Sequence, residues 1–335
     1  MALLFWDSYD NYTDLSTWWT SVLGGVIERA GNARTGPGNL ALGTSAGPIA
    51  AFGQLLSVIV GTAFWPNASG QDPMPVFEFM DLTSGFGQVL IGLRGDFSIA
   101  AWTVNFGANT LLCESAPGVT SPSGYNYIEA RLDVGNAGAV TIRVNGVVVA
   151  SASGVGTIGQ GNHAYCNGLW MRGANGGGSR HDDTYVLNPA ISPNVTFLGP
   201  VRIFSEVPIA DTTTDQWTPE VVGPHYQMVD SVPPNLADFN YSNTVGAADE
   251  YEHPITGIPT AVAVLAVGHK LLAGLDAAGS RSIGSSVNEI VGPESFALST
   301  TPLFEGQPYD FDPVTGVSWL LSDIPMRRIG PVVTA

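Results

Sequence analysis

Residues 125–149 read YNYIEARLDVGNAGAVTIRVNGVVV. Tyr127, Glu129, Arg131 and Asp133 alternate with Ile128, Ala130, Leu132 and Val134, the period-two pattern of a strand with one wet and one dry face. Gly135-Asn136-Ala137-Gly138 interrupts the run, and Val140, Ile142 and Val144 then alternate with Thr141 and Arg143 as far as Asn145-Gly146. That dipeptide tolerates positive φ at both central positions of a two-residue hairpin. The stretch therefore predicts an antiparallel meander at the heart of the fold.

Composition extends the reading to the whole chain. With 41 glycines and 23 prolines among 335 residues, long helices are excluded, while 44% hydrophobic residues suffice for large cores. The length predicts two domains. Only 12% of residues are charged, the formal net charge is −17, and Lys270 is the sole lysine. No basic stripe is available to neutralise phosphates, which argues against direct nucleic-acid binding. A surface so poor in charge suits a chain partly covered by copies of itself or by assembly partners. No apolar run reaches the length of a membrane helix, so no membrane insertion is expected, and Ala261–Val267 reads as a short buried strand. The N-terminal MALLFWD has neither a basic leader nor an apolar run of signal-peptide length. Cys113 and Cys166 are too few for a disulfide framework and are expected as buried thiols.

Further strands are predicted at Val76–Met80, Gln88–Leu93, Ile99–Val104, His181–Leu187 and Phe197–Ile203. The meander resembles the back-sheet hairpin of concanavalin A-like, laminin-G-like domains. The opening FWDSYDNYTDLSTWWT, the strand in GNARTGPGNLALG, the terminal HDDTYVL and the following FLGPVRI resemble bacteriophage virion proteins that carry such a domain. Their downstream motifs are matched by Trp217-Thr218-Pro219, Met228-Val229-Asp230, Pro233-Pro234-Asn235, Tyr241, Gly246-Ala247-Ala248-Asp249 and the turn Asp312-Pro313-Val314-Thr315-Gly316.

The expected organisation is all-β. A concanavalin A-like jelly-roll sandwich covers 1–204, an extended Pro-rich linker or oligomerisation arm 205–245, and a small second β-sandwich 246–335. In the last, strands are predicted at Thr260–Val267, Ser282–Val287, Ser295–Thr301, Gln307–Asp312 and Ser318–Leu321. Val221, Val222, Met228, Val232 and Leu236 give the arm apolar residues with little to pack on inside a monomer, so they are assigned to a homo-oligomer contact; the trimer comes from the fibre resemblance alone.

Chemistry-bearing patterns are sparse. A glycoside hydrolase of this architecture needs two carboxylates on one strand face. Glu78 and Asp81 are three apart and point oppositely, and Asp96 and Glu114 are no better placed, so the chain is expected not to be an enzyme. Asp182 and Asp183 could hold a structural calcium only if an irregular turn brought both carboxylates to one side; otherwise Asp183 bonds a neighbouring loop and Asp182 is exposed. The acidic set Asp230, Asp238, Asp249, Glu250 and Glu252 reads as a solvated face. Sugars need aromatic faces beside amides. The segment Asn162–Arg172 supplies both, so a glycan is expected at a loop rim formed by Tyr165, Asn167, Arg172, Asn175 and His181, next to Gly173–Gly178, with Trp170 and Trp102 in the core. The resemblance implies a bacteriophage tail fibre or tip protein located in the virion, bound to other virion proteins and adhering to host-surface glycan. The alternatives are a capsid decoration or head-fibre protein and, behind it, a polysaccharide depolymerase.

Overall fold

The computed structural model describes residues 2–29, 32–42, 46–66, 72–174, 178–260, 262–277 and 279–335. Strands dominate, and among the described residues helix is limited to three single 3-10 turns. The chain divides into two compact units, Met1–Ile203 and Phe204–Ala335.

The first unit is a two-sheet sandwich in which all recorded pairings are antiparallel. The back sheet runs in the order Val147–Val155, Gly138–Val144, Asn126–Asp133, Ser57–Trp65, Ser179–Leu187, Asn39–Leu42, Val26–Glu28, with Leu3–Asp7 also paired to Ser179–Leu187. The front sheet runs Thr110–Glu114, Ile99–Thr103, Phe86–Leu93, Met74–Asp81, Cys166–Met171, Pro48–Leu55, Ser21–Val22. The predicted meander supplies three successive back-sheet strands, with Ile128 opposite Val144 and Leu132 opposite Val140. Asn145 and Gly146 take φ of 50° and 85°, the left-handed pair that the turn demands.

The two faces of the meander are less different than its alternation suggests. Ile128, Ala130 and Leu132 are buried in the core as expected, but Tyr127 and Glu129 on the other face are buried too. Phe197–Ile203, predicted as a strand, is irregular and covers that face: Gly199 N donates to Glu129 Oε1 at 2.8 Å, and Arg143 lies 5.1 Å from the Phe197 ring. A central position shows how tightly the back sheet is filled. A Cβ at Gly61 would overlap the Tyr185 ring, whose hydroxyl donates to Glu129 Oε1 at 2.6 Å.

The second unit centres on a sheet ordered Ala210–Asp215, Asp249–Glu252, Ile329–Val333, Ser282–Val287, Ile290–Val291, with Phe296–Ala297 also paired to Ser282–Val287. A ribbon of Val267–Ala273 and Leu303–Tyr309 packs on it through Val267, Tyr309, Val287 and Ile329 around the buried Trp319. Residues 205–245 are no free linker. They contribute an edge strand to this sheet, Trp217 Nε1 donates to Ala247 O at 3.1 Å, and the Asp211 carboxylate caps His225 and Tyr226.

Several strand expectations fail here for physical reasons. Residues 262–266 form no strand, and Val262 and Leu265 are exposed; pairing starts only at Val267, opposite Tyr309, the last residue of the partner strand, so the residues before it run past the end of the ladder. Ala261 lies outside the described residues. Ser295–Thr301 shrinks to Phe296–Ala297, the ribbon strand is Leu303–Tyr309 instead of Gln307–Asp312, and Ser318–Leu321 is irregular and anchored by Trp319 Nε1 on Tyr309 O at 2.8 Å. Asp249 and Glu250, expected on a solvated face, are buried: Asp249 bonds His225 and Tyr251, and Glu250 bonds Ser286 and the Glu289 amide.

Gly61→Ala is expected to destabilise the first unit by about 1–3 kcal/mol, because the Tyr185 ring is held by its own hydrogen bond and has no room to yield. Thermal unfolding measures this as a drop of several degrees in the first unit's transition; an unchanged transition would contradict the packing described.

Candidate functional site

The residues assigned to one rim from sequence separate into three places. Tyr165 and Asn167 lie at the entry to Cys166–Met171, while Arg172 follows the far end of that strand. At the strand rise of about 3.3 Å per residue, Tyr165 and Arg172 stand roughly 20 Å apart. Asn175 lies outside the described residues, as do 176 and 177 of the Gly173–Gly178 loop. His181 is fully buried in the back sheet, its Nε2 2.8 Å from Arg172 O, and burial pushes its pKa down to about 4. A neutral imidazole sealed in a core takes no part in a rim.

Arg172 has its own setting on the outer face of the front sheet. Its guanidinium pairs with Glu78 and stacks 3.8 Å from the centre of the Trp170 ring. Burial raises the Glu78 pKa against the opposing pull of Arg172. Trp170, expected in the core, is half-buried on this face because Leu169 and Met171, one residue either side, take the core positions. Trp102 is buried against Leu90 and Ala100. Cys166 is buried and Cys113 half-buried; burial raises their thiols to about 12 and about 11.

Asp182 and Asp183 are both buried, correcting the expectation of an exposed Asp182. The irregular turn needed for both to face one side exists: Asp183 has φ of 50°, and the pairing with Ser57–Trp65 shifts register between Asp182 and Tyr185. Protein groups fill the carboxylates. Asp182 Oδ2 accepts from Arg34 N at 2.6 Å and Thr35 N at 3.1 Å; Asp183 accepts from the Arg34 guanidinium at 2.5 Å, Thr35 Oγ1 at 2.9 Å and Ile203 N at 2.8 Å. Among the described residues no group of three or more His, Cys, Asp or Glu side chains is placed to hold a metal.

Tyr165 and Asn167 do belong to a built rim. Their partners come from the turn after Met74–Asp81 and from the loop 159–165, which crosses the ends of the front-sheet strands. Asp81, fully buried, accepts His163 Nδ1 at 2.7 Å and Ser84 Oγ at 2.6 Å. Burial alone would raise the Asp81 pKa, but these hydrogen bonds outweigh it and hold the carboxylate below its usual range. Tyr165 OH donates to Thr83 Oγ1 at 2.9 Å, and Asn167 Nδ2 reaches the same oxygen at 3.3 Å. The rings of His163 and Tyr165 stack with centroids 5.1 Å apart and planes 8° from parallel. Beneath them the buried Gln88 amide fixes the loop, donating to the carbonyls of His163 and Tyr165 and accepting from Gly159 N.

The arrangement offers a part-exposed flat aromatic surface, an amide and two hydroxyls, which is what a sugar face and its hydroxyls require. His163 was visible in the singled-out segment but carried no role. Asp81, Thr83 and Gln88 lie about 80 residues away and gave no local signal. On the second unit, Val222 is fully exposed, Val221, Val232 and Leu236 are exposed, and Met228 is half-buried in the turn His225–Met228.

No known family matches the sequence, and no curated protein does. Solved structures similar to the chain include an endo-β-1,4-glucuronan lyase from the fungus Trichoderma reesei, at 13% identity and TM-score 0.41 over 55% of this chain and 94% of that one. A cellulose induced protein is similar at 12% identity and TM-score 0.40, over 60% and 99%. A Bacillus subtilis protein with a galectin-like fold is similar at 12% identity and TM-score 0.37, over 56% and 96%. The expectation that the chain is not an enzyme is overturned here, since the similar structures include that lyase, a Trypanosoma rangeli sialidase and an alginate lyase. Their activities are their own at identities of 9–13%.

Buried carboxylates set a pH dependence for the first unit. Burial lifts Asp10 to about 7, opposed by hydrogen bonds from Gly38 N and Ser8 and reinforced by the charges of Asp7 and Asp183, and burial also raises Asp182 and Asp183. Acids with raised folded pKa values leave the native state holding more protons than the unfolded chain, so stability falls as pH rises through the folded values. His181 acts oppositely, but only between about 4 and its ordinary value of 6.5. Above pH 6.5 the acids alone remain of these groups, and the first unit's melting temperature is expected to decline from pH 6.5 to 8. Asp10→Asn should flatten that slope in a pH series of thermal melts; an unaltered slope would contradict the assignment.

Proposed function

We propose that the first unit is a glycan-binding module and that the chain serves as an adhesion protein on a bacteriophage particle. The observation that carries the glycan reading is the His163–Tyr165 stack set beside Asn167, Thr83 and Ser84. Its geometry is held by the buried Asp81 and Gln88, so the surface is formed before a ligand arrives. The virion setting rests on the sequence motifs of both units, and a tail fibre or tip position accounts for a binding module joined to an apolar-surfaced second unit. Capsid decoration is the second reading, supported by the same motifs, with the module only displayed.

Self-association belongs to this proposal. Val221, Val222, Val232 and Leu236 are exposed on the second unit, and a homo-oligomer would cover them while presenting several weak sites together. Mass measurement at micromolar concentration tests it: an oligomer is expected, and a stable monomer would overturn it.

Adsorption tests the binding reading. Particles or purified oligomer carrying Tyr165→Ala together with His163→Ala are expected to bind host cells about tenfold more weakly, since each lost stacking surface is repeated in every copy. The melting temperature reports whether the double variant is folded. Undiminished adsorption by folded protein would leave the module as scaffold and favour decoration. Imaging of particles labelled with antibody to this chain separates tail from capsid.

A further inference from the structure

Beside the His163–Tyr165 stack stands a second, unused pair of rings. Phe86 and Phe106 are 38% and 75% exposed, and their rings meet edge to face with centroids 5.3 Å apart. Rings so exposed keep apolar surface in contact with water, and a ligand that covers them gains by removing it. Their place in the sheet joins them to the rim. Phe86 is the cross-strand partner of Asp81, and cross-strand partners share a face with Cβ atoms about 5 Å apart. Asp81 in turn holds His163 at 2.7 Å. The loop 159–165 spans the same strand ends, Gln160 N donating to Val104 O at 3.1 Å, two residues before Phe106. Four rings therefore follow one rim, from Tyr165 through His163 and Phe86 to Phe106. Three inter-strand steps of about 4.8 Å separate the ends, roughly 14 Å in all.

Charge narrows what could lie along this strip. The turn 81–86, the segment 103–110 and the loop 159–167 contain neither Lys nor Arg, and the chain's net charge is −17. Asp81, the carboxylate in their midst, already accepts from His163, Ser84 and the amides of Thr83 and Ser84. An anionic polysaccharide would meet repulsion and find no cation with a fixed charge. We propose that the rim binds a neutral, linear oligosaccharide of at least three units, with Phe86 and Phe106 forming an extended subsite beyond the His163–Tyr165 platform. The inference rests on the glycan reading and adds length and charge to it.

The test is a titration of the full chain with fluorescently labelled neutral gluco-, galacto- and manno-oligosaccharides of one to six residues, and with oligogalacturonates of the same lengths. Affinity for the neutral chain that binds is expected to rise about tenfold between one and four residues, the worth of about one well-stacked aromatic surface. In Phe106→Ala, whose exposed side chain is not needed for folding, affinity should stop rising with length. A gain with length that survives in Phe106→Ala, affinity independent of length, or tighter binding of the oligogalacturonates would each overturn the extended neutral subsite while leaving the platform. Failure of every chain to bind would remove the glycan reading itself, and the inference with it.

Discussion

The first unit depends on two adjacent carboxylates buried inside a back-sheet strand. Asp182 and Asp183 interrupt Ser179–Leu187 at its bulge, and burying them has a large cost unless each oxygen finds a donor. Those donors come from far along the chain: the amides of Arg34 and Thr35, the Arg34 guanidinium, and Ile203 N at the end of the unit. Arg34 also donates to Val201 O at 2.6 Å and lies 5.0 Å from the Tyr127 ring. One defect in one strand thereby fixes the loop before Asn39–Leu42 and the segment that closes the outer face. The same segment gives Glu129 Oε1 a donor in Gly199 N, so the buried acid of the meander depends on it too.

The rim obeys the same physics at smaller scale. Loops cannot bury their own polar groups without partners, and here Gln88 and Asp81, both fully buried, act as internal hydrogen-bond hubs on which the loop 159–165 is wound. Glycine at 159 lets the loop press against Gly87 and Val104, where a Cβ would overlap backbone. A binding surface made this way is stiff, because moving His163 or Tyr165 would strand a buried amide or carboxylate. The second unit repeats the device with Asp249, which gathers His225 and Tyr251, while Asn240 bonds the Tyr251 hydroxyl and the His225 carbonyl.

How far this was legible from sequence follows from the range of the interactions. The meander and its Asn145-Gly146 turn were readable because alternation and turn chemistry act over a few residues. The division of the rim was not. Arg172 and Tyr165 are seven residues apart and flank one strand, yet extended backbone carries them to opposite ends of it. His181 looked like a surface histidine because nothing local tells a wet strand position from one later covered by another segment. The same limit explains Glu129, Asp249 and Glu250: each carries the polar signature of solvent exposure and is buried because partners supplied from elsewhere satisfy it.

A stiff, largely uncharged rim also constrains how such a module can be useful. With no fixed cation along the four rings, association gains nothing from electrostatic steering, and each contact rests on stacking and on hydrogen bonds that exchange with water. Single-site affinity under those terms is low, and preorganisation by Gln88 and Asp81 limits only the entropy lost on binding. Strength must come from contact length along the rim or from repetition of the rim in space. The exposed rings of Phe86 and Phe106 answer the first requirement within one copy, and the exposed valines and leucine of 221–236 offer a surface through which several copies could answer the second.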